Sequence, residues 1–183
     1  MTSPDTDLIP VFDLDGTLLD SDEALVAPFL ALGIARDDIT FGLPLADECA
    51  RLGVTVERYL DHYDSTSVQP FPGVIELVGA LGRWAVCSNK HPAAGRVELA
   101  RLGWTPEVAI FAGDTRTQKT LRPVLAELRV GGDEVVFVGD TDHDRTCAAE
   151  AGARFVLAAW NPRARRADDD LVARHPADVL AFC

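Results

Sequence analysis

Lysine is nearly missing from this chain. Of its 17 basic residues only Lys90 and Lys119 are lysines, and all the others are arginines. A chain that uses arginine wherever any cation serves is expected to keep lysine where a compact ammonium is needed and a planar fork is not. Basic charge as a whole is scarce too, with a formal net charge of -12. That argues against nucleic acid as the main partner, because phosphate backbones are met by net basic surfaces. A small phosphorylated ligand stays open, since a metal ion reverses the local charge. No apolar run approaches transmembrane length and the N-terminus lacks a charged-then-apolar leader pattern, so no membrane partner is expected. Cysteines are few and scattered, at Cys49, Cys87, Cys147 and Cys183, with no metal-like spacing. Inert thiols in a reducing cytoplasm are the expected reading. Internal repeats and low-complexity segments are lacking as well.

What is present is chemistry at the end of a short apolar run. Val11-Phe12 stops at Asp13-Leu14-Asp15-Gly16-Thr17. Two carboxylates two residues apart lie on one side of an extended backbone, and Gly16 permits the turn that bends the chain back towards a ligand. One carboxylate is placed to attack a phosphorus while the other handles the proton.

The 183 residues, 48% of them hydrophobic, suffice for one sizeable core and a small inserted unit. Strands are expected at Leu8–Phe12, Trp84–Cys87, Val108–Phe111, Val135–Val138 and Arg154–Leu157. Between them lie helical patterns near 74–81, 93–102, 120–128 and 144–151, and a last helix is expected near Ala164–Ala173. Strands alternating with helices imply an α/β fold, a mostly parallel sheet covered on both faces. Residues 20–70 show no convincing strand. Asp20 begins a helix there, with Glu23 giving a capping-box-like pattern, and helical patches follow at 43–52 and 54–63. The break at Pro70-Phe71-Pro72-Gly73 closes this segment. The run Arg163-Ala164-Arg165-Arg166 followed by Asp168-Asp169-Asp170 reads as a solvated helix face.

Open parallel sheets bind ligands beyond the carboxyl ends of their strands. Here the first strand ends at Asp13 and Asp15, the second at Ser88-Asn89-Lys90, and the fourth at Gly139-Asp140-Thr141-Asp142-His143-Asp144, with Lys119 at the start of the helix after the third. Singly these are ordinary turn and cap residues. Together they bring acidic, hydroxyl and ammonium groups to one edge.

These residues resemble the motifs of the haloacid dehalogenase superfamily, in its phosphoglycolate phosphatase-like branch. Asp13-Leu14-Asp15-Gly16-Thr17 is similar to the first motif, Ser88 with Asn89-Lys90 to the second, Lys119 to the third, and Gly139-Asp140 with Asp144 to the fourth. Lys119 departs from the branch in being followed by Thr120 and not by proline, with Pro123 further on. The resemblance implies a Rossmann-like catalytic core over residues 1–19 and 71–183 and a small helical cap over 20–70. It implies a phosphatase for a small phosphorylated metabolite, as a monomer or homodimer. Asp13 would be the nucleophile that forms an aspartyl-phosphate, and Asp15 the general acid and base. Ser88 and Lys119 would stabilise the phosphoryl group, while Thr17, Asn89 and Lys90 would meet the substrate. Mg²⁺ would be held by Asp13, the backbone carbonyl of Asp15, and Asp140, with Asp144 in support. A phosphomutase and a nucleotide or sugar phosphatase are alternatives within the superfamily, and a non-catalytic phosphate-binding protein is one outside enzymes. Asp15 argues against a dehalogenase, because halide leaves without a proton. In the cap, Arg51, Arg58, Tyr59, His62 and Tyr63 are candidate substrate groups, though the aromatics read more simply as cap core. Phe41-Gly42-Leu43-Pro44 is a candidate loop into the site. His143 reads as a loop residue and not a ligand.

Overall fold

A computed structural model describes residues 8–115 and 119–183. Residues 1–7 of the expected core segment lie outside this range. In chain order the elements are β1 (Ile9–Phe12), β2 (Leu19–Asp20), α1 (Asp22–Ala31), α2 (Leu45–Leu52), α3 (Val56–His62), β3 (Gln69–Pro70), α4 (Val74–Ala80), β4 (Ala85–Ser88), α5 (Pro92–Arg101), β5 (Val108–Phe111), α6 (Ala112–Thr115), α7 (Arg122–Leu128), β6 (Val135–Gly139), α8 (Asp142–Ala151), β7 (Arg154–Ala158) and β8 (Leu171–Ala173).

Six strands form one sheet in the order β5-β4-β1-β6-β7-β8, and every pairing in it is parallel. The pleat explains the apolar runs. In β6, Val136 and Val138 face one side with Phe12, Val86 and Leu77, while Val135 and Phe137 face the other with Val11, Val124 and Cys147. A strand buried on both faces needs apolar residues at every position, not at alternate ones. Crossover connections, most of them helical, keep all strands running one way, so their carboxyl ends gather at a single edge.

The segment after β1 departs from its expected form in two ways. Asp20 does not begin a helix. It pairs with Gln69 in the antiparallel β2–β3 ribbon, so the segment leaves and rejoins the core through two short strands. Helix α1 starts at Asp22 with Ser21 as an N-cap that makes no side-chain cap bond, and Glu23 is drawn away to Arg36, at 2.6 and 3.0 Å. The helices of the segment close on a small core of their own, Phe29, Cys49 and Tyr59, with the Phe29 and Tyr59 rings 4.6 Å apart.

The helix expected at 164–173 is replaced by turns and the edge strand β8. Consecutive aspartates are poor helix formers, and here Asp170 has better partners: Arg145 at 2.7 Å and the Ala167 N–H at 2.8 Å. Leu171-Val172-Ala173 then pairs with β7. The charged run is therefore not a helix face: Arg163 pairs with Asp22 across the cleft and Asp170 is held under Arg145, while Arg165, Arg166, Asp168 and Asp169 stay exposed.

Helix α5 packs tightly against β5. A Cβ on Gly95 would lie 2.3 Å from Cε1 of the buried Phe111 ring. Overpacking of this kind costs about 1–3 kcal/mol, against about 1 kcal/mol gained from alanine's helix propensity. Gly95→Ala is expected to lower unfolding free energy by about 1 kcal/mol in urea denaturation; an unchanged or raised midpoint would show that the Phe111 ring moves freely.

Candidate active site

The turn after β1 fixes the first two carboxylates. Gly16 has φ +79°, and its N–H donates to the Leu19 carbonyl at 2.8 Å. A Cβ at this position would come within 2.5 Å of Asp140 Oδ2, so glycine serves here both the backbone angle and the approach of β1 to β6. Asp13 is buried, and its Oδ1 accepts from the Leu14 N–H at 2.7 Å. Asp15 is half-buried and opens into the cleft between the sheet edge and the inserted helices.

The loop after β6 brings the next two. Asp140 takes a hydrogen bond from Thr17 Oγ1 at 3.2 Å and one from Asn161 Nδ2 at 2.9 Å. Asp144 caps α8: its Oδ2 accepts from the Thr141 N–H at 3.0 Å and the Thr141 hydroxyl at 2.6 Å, and its Oδ1 meets the Lys119 ammonium. That ammonium also lies 3.0 Å from Asp13 Oδ2. Carboxylate oxygens of Asp13, Asp140 and Asp144 fall within 4.8 Å of one another. Three hard oxygen donors so close fit a Mg²⁺-type cation, although Asp144, with both oxygens engaged, is better described as a support than as a direct ligand.

Charge explains the arrangement. Burial, with Asp13 and Asp144 nearby, pushes Asp140 up to about 7. Burial also raises Asp13, with Lys119 opposing and Asp144 and Asp15 adding to the rise. For Lys119 burial disfavours the cation, but Asp13 and Asp144 outweigh it and hold the ammonium above its ordinary range. Acids are crowded beyond what one lysine neutralises, which is the condition a divalent cation relieves.

Each expected site residue has a definite place. Ser88 ends β4, buried beside Asp13, and its hydroxyl favours the Asp13 carboxylate. Thr17 is fully buried under Asp140 and does not reach the cleft wall. Asn89 is a bridge, donating to the Gly42 carbonyl at 3.1 Å and accepting from the Lys119 N–H at 2.8 Å. Lys90 lines the cleft, but its ammonium is held by Asp15 at 2.7 Å, the Tyr63 hydroxyl at 3.0 Å and Glu98 at 3.1 Å, the last without hydrogen-bond alignment. Phe41, Gly42 and Leu43 do line the cleft, with Arg163 stacked 4.4 Å over the Phe41 ring. Tyr59 and Tyr63 line it too, whereas Arg51 is taken by Glu48 at 2.7 Å. His143 stands in the first turn of α8 and not in a loop, beside Cys147.

Four residues around Asp140 and Lys119, besides the buried Glu98, escaped sequence reasoning. Asn161 binds both the Gly16 carbonyl, at 2.8 Å, and Asp140, and Trp160 donates to the Thr17 carbonyl at 2.8 Å. Both follow β7, so the strand-end rule that found the others would have found them. Cys147 and Cys87 donate to the carbonyls of Lys119 and Thr120, at 3.1 and 3.3 Å. These thiols and Asn89 hold the Lys119 backbone where the expected proline is missing.

Residues 10–158 match the haloacid dehalogenase-like hydrolase family, and the chain belongs to it. It is 31% identical to a phosphoglycolate phosphatase of Xanthomonas campestris pv. campestris, over 93% of this chain and 90% of that one. An N-acetylmuramic acid 6-phosphate phosphatase of Pseudomonas aeruginosa is 24% identical over 93% and 92% of the two chains. A haloacid dehalogenase-like family hydrolase from Streptococcus pneumoniae superposes with TM-score 0.80 at 22% identity, covering 97% of this chain and 98% of its own, which shows the shared fold.

The raised Asp140 has a consequence for metal binding. A carboxyl group that is protonated more readily folded than unfolded removes stability as pH climbs from about 4 to about 7, and a cation restores it only where the carboxylate is ionised. Mg²⁺ is expected to raise the melting temperature several degrees at pH 7.5 and far less at pH 5, with the shift lost in Asp140→Asn. An equal shift in that variant would remove the carboxylate cluster as the metal site.

Proposed function

We propose that this hydrolase is a Mg²⁺-dependent phosphatase of a small phosphorylated metabolite, working through an aspartyl-phosphate on Asp13. The observation that carries the reading is the pairing of two carboxylates at one strand end: Asp13 is buried against Lys119, and Asp15 opens into the cleft. The phosphatase names of its relatives support the same class of reaction.

In this reading a carboxylate oxygen of Asp13 attacks phosphorus, and the bond between phosphorus and the ester oxygen breaks. Asp15 gives that oxygen its proton. The Asp15 carboxylate then takes a proton from water, whose oxygen attacks phosphorus and breaks the bond to Asp13. Phosphate departs and both aspartates return to their starting forms. Lys119 and the Ser88 hydroxyl balance charge on the phosphoryl oxygens, and the Asn89 loop holds Lys119 in register. Mg²⁺, held by Asp13, the Asp15 carbonyl and Asp140, would neutralise charge between the carboxylates and the phosphoryl group.

Residues 20–70 act as the cap. Their separate apolar core and the β2–β3 ribbon support treating them as a unit, and Phe41, Leu43 and Tyr59 place apolar surface over the cleft. No helix among the described residues is long and apolar enough to cross a membrane. With the buried thiols of Cys49, Cys87 and Cys147 left unbridged, the cytoplasm is the setting that fits.

Phosphate release from a panel of sugar, nucleotide and short-acid phosphates is expected to need Mg²⁺ and to fall at least about 1,000-fold in Asp13→Asn. Isomer formation without free phosphate would instead identify a mutase. Binding without turnover by the metal-loaded wild type would identify a phosphate-binding protein.

A further inference from the structure

Lys90 has a burial that substrate binding does not explain. It is one of the chain's two lysines, and although it lines the cleft its side chain is only 2% exposed. Its ammonium meets three groups, which are Asp15 Oδ1, the Tyr63 hydroxyl and Glu98 Oε2. Glu98 is itself fully buried, on α5, and its other oxygen accepts from the Tyr63 hydroxyl at 2.5 Å. Asp15 and Tyr63 take two of the three N–H groups of the ammonium, and Glu98 Oε2 lies 3.1 Å away as a buried counter-charge, so a substrate anion would have to compete with these partners. The partners come from three places: Asp15 from the β1 turn, Glu98 from α5, and Tyr63 from the end of α3 in the inserted segment. Tyr63 stacks on Tyr59 at 5.9 Å, and Tyr59 donates to the Leu25 carbonyl in α1 at 2.9 Å.

We propose that Lys90 is a positioning residue: with Glu98 as its buried counter-charge it aims the Asp15 carboxylate, and Tyr63 makes that aim depend on the seating of the inserted helices. This rests on the phosphatase reading of the site. A free aspartate side chain rotates about two bonds, while proton transfer in the reaction needs it within hydrogen-bond reach of the leaving oxygen. The ammonium fixes one carboxyl oxygen, Oδ1, and leaves the other for the leaving group. A compact ammonium suits partners that converge on one point, whereas a planar guanidinium spreads its donors, which fits lysine here in a chain whose other cations, Lys119 apart, are arginines.

The test uses leaving groups of unequal need for a proton. An alkyl phosphate requires an acid to expel its alkoxide, whereas an aryl phosphate such as p-nitrophenyl phosphate does not. kcat/KM reads the transfer to Asp13, before water enters. The full chain with Mg²⁺ is compared with Lys90→Met/Glu98→Gln, which removes both charges of the buried pair together, and with Tyr63→Phe. The double variant is expected to lower the alkyl-to-aryl ratio of kcat/KM about 100-fold, and Tyr63→Phe about 5-fold. Adding the double change to Asp15→Asn should lower the ratio no further. Equal losses on both esters, or a raised KM with unchanged kcat, would overturn the proposal in favour of a structural or substrate-binding Lys90. Should the double variant fail to fold, Tyr63→Phe decides alone, and an unchanged ratio there overturns it. No release by wild type from either ester would contradict the phosphatase reading itself, and the positioning role with it.

Discussion

The contact on which the site depends is the Lys119 ammonium wedged between Asp13 and Asp144. Four aspartates at one sheet edge repel each other, and removal from water makes that repulsion stronger. One buried cation cannot cancel it. It can hold Asp13 as a carboxylate and anchor the start of α8, and it leaves Asp140 as the group whose charge awaits a metal. The surplus of negative charge at this edge is the condition that a divalent ion would relieve.

Around that contact the backbone is over-determined. Gly16 and Gly139 let β1 and β6 bring their carboxylates into contact distance, since a Cβ on either would strike Asp140 or Asp144. Asn89 ties the Lys119 backbone to the loop at Gly42, so the second strand end, the third motif and the inserted segment share one side chain. Arg163 reaches the same loop from beyond β7. The inserted segment is therefore bound to the sheet edge at several places, and two of them, at Gly42 and at Tyr63, lie beside groups that would touch the reaction.

The fold is legible because the central strands β1, β4 and β6 are buried at every position and so are written as unbroken apolar runs, each followed by a polar cluster. Val135–Val138 followed by Gly139-Asp140 is the clearest case. The same rule gathers Asp13, Ser88, Lys119 and Asp144 at one edge. The tail is not legible in the same way, because residues 164–173 carry a helical pattern while Arg145, distant in sequence, claims Asp170. Asp20 is not legible either, because a ribbon of two-residue strands has no period. Glu98 shows a further limit. A carboxylate on α5 reads as solvated, and its burial depends on Lys90 and Tyr63, partners that only the tertiary structure brings to it.

The central claim is that Asp13 carries the phosphoryl group. Acid quench of the Mg²⁺-loaded protein during turnover of a ³²P-labelled ester, followed by peptide mapping, tests it directly. The account predicts a hydroxylamine-labile phosphoryl group on the peptide holding Asp13, absent in Asp13→Asn. Turnover with no labelled peptide under conditions that stabilise the phosphoenzyme, or label on another residue, would contradict it.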